Sequence, residues 1–207
     1  PASYNATLTW PPTITQVKAS TPNGSYGVGA VIDIQVTFSL PVDVNGGTPQ
    51  LTLETGTTDR VVDYLNGSGT NTLVFRYTVQ AGDTSADLDY ASTSALALNG
   101  GTIVSALGTQ NDAVLTLPAP GTTGSLGANQ ALVIDTLAPT LVGSSPADDG
   151  SGVPVANNLT LNFSETVQAG TGFVRIVNAH NPADTRTLDI TDASQVTLSG
   201  STLTLNP

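Results

Sequence analysis

The chain has 207 residues, of which 39% are hydrophobic, so it is long enough to bury one or two cores. Its 16 acidic residues outnumber its five basic residues and give a net charge of -11, which excludes a surface built for nucleic acid or an anionic membrane. The chain has no cysteine, which excludes disulfides and thiolate metal sites.

The composition also indicates where the protein works. A cysteine-free chain rich in Thr and Ser fits a long exported bacterial protein that folds without oxidative help. No apolar stretch approaches the roughly 20 residues that a membrane-spanning helix needs. We therefore expect an extracellular protein, secreted or on the bacterial cell surface, that does not insert into a membrane.

Short strands predominate in the first half of the sequence. Residues 32–38 alternate apolar and polar side chains, and residues 51–53 repeat the pattern after an Asn-Gly-Gly turn at residues 45–47. Both runs are predicted to be strands joined by that turn. Further predicted strands cover residues 60–65, 72–79, 113–117 and 131–134. A short helical turn at residues 92–98 is the one exception to the β pattern.

The second half repeats these features, with strands predicted at residues 158–163, 172–177, 196–198 and 202–205. Many short strands separated by Gly, Asn, Asp and Pro turns are typical of a β-sandwich. The sequence therefore predicts an all-β fold of tandem immunoglobulin-like sandwiches.

An internal repeat gives the domain organisation. Gly27, Ile34, Val36, Phe38-Ser39 and Val42 align with Gly152, Leu159, Leu161, Phe163-Ser164 and Val167 at an offset of roughly 125 residues. A proline-bearing boundary falls at residues 135–139. We predict a terminal strand or linker at 1–11, from a preceding repeat; a complete sandwich at 12–136; and a second repeat at 137–207, incomplete at its C-terminal end.

Specific motifs resemble a known group of modules. Phe38-Ser39-Leu40-Pro41-Val42, residues 77–83 and Asp135-Thr136-Leu137-Ala138-Pro139 resemble a repeat of very long bacterial surface proteins. Ser145-Pro146, residues 152–155 and residues 162–167 resemble the bacterial Ig-like domain. The resemblance implies extracellular repeats of RTX-adhesin-like or S-layer-like proteins. Leu40 departs from the pattern, which has an acid at that position, as at Glu165.

Grouped carboxylates are the candidate metal ligands, because calcium prefers six to eight oxygen ligands. Asp83, Asp87 and Asp89 lie close together in one loop, and Asp112 lies in another. The alternative for each is an ordinary turn residue that bonds its own backbone. Their spacing is not that of an EF-hand.

Asp135 is a separate candidate at the domain boundary, where a bridging calcium would stiffen a tandem array. Asp148 and Asp149 are expected to fold back towards it. The alternative is that Asp135 only ends a strand.

Catalytic groups are sparse in the sequence. His180 is the one histidine, on a turn, and Glu54 and Glu165 fall in different repeats. A catalytic triad or a glycosidase pair needs its groups in one cleft. The sequence therefore predicts that the protein is not an enzyme.

A structural extender of a bacterial adhesin-like surface protein is the function we predict, with calcium as its possible cofactor at the junction. The predicted partners are neighbouring repeats, copies of the chain, or a glycan or protein ligand. One alternative is an adhesin module that grips such a ligand through its end loops. Another is a filament or surface-layer subunit that assembles by donating the strand at residues 3–10 to the open sandwich of a neighbour. A third is an accessory domain of a secreted hydrolase.

Overall fold

The computed structural model describes residues 10–108, 110–148, 150–154, 156–178 and 180–206. The terminal strand or linker predicted at residues 1–11 lies outside this description except for its last two residues. The chain forms two compact units that divide between Leu137 and Ala138. No helix in the described ranges is long and apolar enough to cross a membrane.

The regular secondary structure described in the first unit is almost entirely β. In chain order they are β1 (Ile14–Ala19), β2 (Gly24–Tyr26), β3 (Val31–Gly46), β4 (Gln50–Glu54), β5 (Arg60–Asn66), β6 (Thr70–Thr78), β7 (Thr84–Ser85), β8 (Asp89–Tyr90), β9 (Leu96–Ala97), β10 (Gly101–Ser105) and β11 (Leu132–Asp135). One short helix, α1 (Leu126–Asn129), precedes β11.

The long strand β3 organises the first unit. It pairs with β1 and β6 along its first half and with β10 over residues 42–46, always antiparallel. β5 connects two groups of strands, because residues 60–63 pair with β4 while Tyr64 and Asn66 pair with β6. β8 and β9 pair with β4, and β11 lies between β2 and β7.

The core of this unit follows the predicted alternation. Ile32, Ile34, Val36 and Phe38 of β3 are all buried, as are Leu73, Phe75 and Tyr77 of β6. Successive side chains of a strand point to opposite faces, so each strand contributes one buried row. The later part of the unit covers that row with Leu88, Tyr90, Ala95, Leu96, Ile103, Leu117, Leu126, Leu132 and Ile134. The prediction of an all-β fold is confirmed.

The turn predicted at residues 45–47 does join two strands, β3 and β4, although these pair with other strands and not with each other. Two other local predictions are wrong. Residues 113–117 make only an isolated bridge at Val114, because their backbone N–H groups bond to three separate parts of the chain, at Ile103, Pro12 and Thr93. Residues 92–98 contain turns and β9 instead of a helical turn, whereas the helix forms at α1, capped by Ser125.

The described residues of the second unit form six strands: β12 (Leu141–Ser145), β13 (Leu159–Phe163), β14 (Phe173–Val177), β15 (Thr185–Asp189), β16 (Val196–Ser199) and β17 (Thr202–Leu205). β12, β13, β17 and β16 form one sheet in that order, and β14 pairs with β15 in a separate hairpin. Its core contains Leu188, Val196, Leu203 and Leu205. The sequence did not predict β15.

The pairing of β12 with β13 resembles that of β1 with β3 in detail. Ile14 lies opposite Phe38 and Leu141 lies opposite Phe163, and in each pair the register shifts immediately after that residue. In the first unit the Ser39 hydroxyl accepts a hydrogen bond from Thr13 N at 3.0 Å. In the second, the Ser164 hydroxyl accepts one from Thr140 N, also at 3.0 Å.

Candidate functional site around the acidic segment

The acidic segment, residues 81–89, follows β6 and runs through β7 into β8. Asp83 is its most buried acid, with 1% of its surface exposed. Its Oδ1 accepts a hydrogen bond from Arg60 Nε at 2.6 Å. Its Oδ2 accepts hydrogen bonds from the Tyr77 hydroxyl at 2.7 Å and from Gln80 N at 2.9 Å. Both oxygens are therefore engaged by the protein, which favours a structural role over the predicted calcium ligation.

The protonation states of this cluster follow from its contacts. Burial by itself would raise the pKa of Asp83, but hydrogen bonds from Gln80 N, Tyr77 and Arg60 outweigh it and hold the pKa below its usual value. The pKa of Tyr77 is raised well above its usual value, first by burial and then by its hydrogen bond to Asp83. At neutral pH the cluster therefore contains a carboxylate, a guanidinium and a neutral phenol.

Thr136 connects the end of the first unit to the same segment. Its hydroxyl accepts a hydrogen bond from Gly82 N at 3.0 Å and donates one to Asp83 O at 2.8 Å. Asp135, the predicted junction ligand, ends β11 opposite Thr84, and its Oδ1 accepts a hydrogen bond from Leu137 N at 3.1 Å. This carboxylate therefore bonds to the backbone of its own turn.

Asp87 and Asp89 do come together. A Cβ placed on Gly127 of α1 would lie 3.0 Å from Asp89 Oδ2 and 3.4 Å from Asp87 Oδ2. Asp89 is 8% exposed, and its two oxygens accept hydrogen bonds from Tyr90 N and Gly121 N, both at 2.9 Å. Asp87 is exposed.

The other predicted site residues lie apart from this pair. Asp112 is exposed and makes an isolated bridge to Val104. Within the described ranges, no three His, Asp or Glu side chains are placed to hold a metal ion together. Asp148 lies in the second unit, and Asp149 lies outside the described residues.

A groove opens where β5 leaves β6 to pair with β4. Its volume is about 310 Å³, and Arg60, Tyr64, Arg76 and Tyr77 help to line it. Each arginine already has a carboxylate partner: Arg60 pairs with Asp83, and Arg76 pairs with Asp33 at 2.7 Å. The groove therefore has no free positive charge to offer a ligand.

Sequence reasoning missed Arg60, Tyr77 and Thr136, which give the acidic segment its structure. Arg60 offered a signal, because the alternation of β5 places it on the same face as the buried Val62. A charged residue on a core-facing position needs an opposite charge nearby. Nothing in the sequence indicated that Asp83 would supply it.

Comparison with known proteins identifies part of the chain. Residues 135–207 match the model of the bacterial Ig-like domain family. No curated protein and no solved structure matches the chain. The matched family fits the β-sandwich fold; such domains are generally non-catalytic and typically occur in surface or extracellular proteins.

We expect Asp83→Asn to lower the free energy of unfolding of the first unit by about 3 kcal/mol, because it breaks a buried ion pair and leaves Arg60 without its partner. Denaturant unfolding measures the change. Asp33→Asn is the matched control, since it removes the other arginine–aspartate pair from a solvent-exposed position, where such pairs contribute little. Equal losses in the two variants would contradict a structural role for Asp83.

The contacts of Asp83 also make the stability of the first unit depend on pH. The pKa of Asp83 is lower in the folded than in the unfolded protein. The stability that this carboxylate adds to the fold is therefore complete above the unfolded pKa and is lost as the pH falls through the folded pKa. The melting temperature of the first unit should therefore fall as the pH drops below about 4, the usual pKa of an aspartate. The fall should be shallower in Asp83→Asn. Parallel melting curves for the two proteins across this range would contradict the expectation.

Proposed function

We propose that this chain is an extender segment of a bacterial surface protein, in which Ig-like units space or present other domains. Its residues contribute a stable fold and short connections between units instead of a reactive centre. The proposal rests in part on the match of residues 135–207 to the bacterial Ig-like domain, a family typical of surface or extracellular proteins.

The observation that carries the proposal is the anchoring of the chain on both sides of the connection. Thr136 is bonded to the acidic segment of the first unit through Gly82 N and Asp83 O. Thr140 is bonded to Ser164 of the second unit through both its N and its O. Residues 137–139 lie between these anchors, and Pro139 restricts the backbone further. Three residues reach at most about 11 Å when fully extended, so the connection keeps the two anchors close to each other.

The composition and charge pairing support a spacer role over the binding of a charged ligand. Only 10% of the residues are charged, and both ion pairs of the described residues lie within the first unit. In the groove beside β5 the arginines are already neutralised by aspartates. These features favour a spacer over the alternative of an adhesin module that grips a charged ligand there.

Distance measurements between the units test the proposal. The chain has no cysteine, so Thr57→Cys and Thr197→Cys, both at exposed positions in different units, allow specific spin labelling. We expect a narrow distance distribution by electron-electron double resonance, because the short, proline-bearing connection limits how far the two units can separate. A variant with a short Gly-Ser insertion between Ala138 and Pro139 is the control and should give a broad distribution. An equally broad distribution in the unmodified connection would overturn the spacer role.

The proposal has a second part, in which bound calcium stiffens the tandem array. It rests on the convergence of the Asp87 and Asp89 carboxylates beside Gly127 and on the position of Asp135 at the end of β11. If calcium binds only the folded protein, millimolar calcium should raise the melting temperature above its value in chelator. Asp87→Asn should abolish the rise for a loop site, and Asp135→Asn for a site at the connection. An identical melting temperature with and without calcium would remove calcium from the proposal.

A further inference from the structure

The groove beside β5 is formed by the divergence of two strands of the first unit. Tyr64 and Asn66 of β5 pair with β6, whereas residues 60–63 pair with β4. Residues 76–78 of β6 continue to pair with β3 on their other side. β5 and β6 therefore form two walls that meet near Tyr64 and separate towards Arg60.

The size of the groove suits a small molecule. Its volume of about 310 Å³ is close to the lower end of the range for ligand pockets, roughly 300–1,000 Å³. The wall formed by residues 76–78 is shorter than a typical strand of about five to six residues, so it offers little edge for pairing with an extended peptide.

The β5 wall carries a carboxylate between two apolar side chains. Val61, Asp63 and Leu65 alternate along the strand, all three are exposed, and all three line the groove. Asp63 Oδ1 accepts a hydrogen bond from Gln50 Nε2 at 2.8 Å. Its Oδ2 has no hydrogen-bond partner within the described residues. This wall therefore offers one acceptor and two apolar contacts to a ligand.

The two arginines of the groove still have N–H groups to donate. Arg76 bonds to Asp33 through Nε and Nη2, which leaves Nη1 without a partner in the described part of the chain. Arg60 bonds to Asp83 through Nε, which leaves both of its Nη groups. Because the ion pairs already orient both guanidinium groups, a ligand that accepts from them has less side-chain freedom to remove.

The charges around the groove exclude charged ligands. Its two guanidinium groups are accompanied by three carboxylates, those of Asp33, Asp63 and Asp83. An anion would meet arginines that are already neutralised, on a chain with a net charge of -11. A cation would meet one unpaired carboxylate beside two guanidinium groups. The remaining class of polar ligand is uncharged and both donates and accepts hydrogen bonds, as hydroxyl groups do.

We propose that the groove between β5 and β6 binds a neutral sugar, one or two rings of a glycan. Sugar hydroxyls donate to Asp63 Oδ2 and accept from the free N–H groups of Arg60 and Arg76. The C–H face of a ring packs on Val61 and Leu65, which removes apolar surface from water. This proposal goes beyond the spacer role, which requires no ligand and would stand if the groove bound nothing.

Nuclear magnetic resonance of the full chain tests the proposal with three neutral disaccharides: cellobiose, maltose and lactose. At millimolar concentrations, at least one of them should cause saturable shifts of the backbone amides of residues 60–65 and 76–80. The amides of β10 lie outside the groove lining and should not shift. The absence of saturable shifts with all three disaccharides would overturn the proposal.

Two substitutions test the assigned contacts. Asp63→Ala removes the acceptor and should weaken binding by about tenfold, as expected for a hydrogen bond to a charged group. Asp59→Ala removes the same charge from an exposed position outside the groove lining and should leave the affinity unchanged. Arg76→Lys keeps the positive charge but loses the planar fork, and it should also weaken binding. Equal affinities of the Asp63→Ala and Asp59→Ala proteins would contradict the assigned site.

Two further probes test the class of ligand. Cellobiouronic acid, in which a carboxylate replaces one hydroxymethyl group of cellobiose, should bind more weakly than cellobiose. The capped peptide Thr-Val-Thr-Val should cause no saturable shift at residues 76–80. Tighter binding of the acid would assign the groove to anions, and saturable binding of the peptide alone would assign it to extended polypeptides; either result would overturn the neutral sugar.

Discussion

The apolar face shared by β3 and β6 is the constraint on which the first unit depends. Ile34 lies opposite Phe75 and Val36 lies opposite Leu73, so the two strands form a continuous apolar row. A single sheet cannot hide such a row, which must be covered by other strands or loops. Residues 84–135 provide that cover, and this requirement explains why a long stretch with few and mostly short strands still contains buried residues such as Leu88 and Tyr90.

The Asp83 cluster positions that covering stretch. Arg60 comes from β5, Tyr77 from β6, and Asp83 from the segment that leaves β6, so one carboxylate joins three parts of the chain at the point where it turns over the core. Thr136 then bonds the end of the unit to the same segment. Because a buried carboxylate is tolerated only when it is paired and hydrogen-bonded, this position specifies one path for the chain.

Sequence reasoning could predict those strands whose pattern is set by burial on one face. β3, β6, β13 and β17 alternate clearly, and they lie where the alternation indicates. β7, β8 and β9 have two residues each and exist only because β4 and β11 provide partners, so no local pattern indicates them. The acidic segment was visible as a group of carboxylates, but its partners were not. Arg60 is 23 residues from Asp83 in sequence, and the contact arises from the fold.

A comparison of residues 42–46 with residues 167–171 shows the same dependence of strand formation on a partner strand. Val42 and Val167 occupy corresponding positions, and each bonds to a turn through its backbone: Val42 O accepts from Gly69 N, and Val167 N donates to Gly200 O. The first segment is a strand because β10 satisfies its backbone, while the second lacks a partner strand in the described residues and has no regular structure. Strand formation here depends on a neighbour more than on intrinsic propensity, as is general for β-sheets.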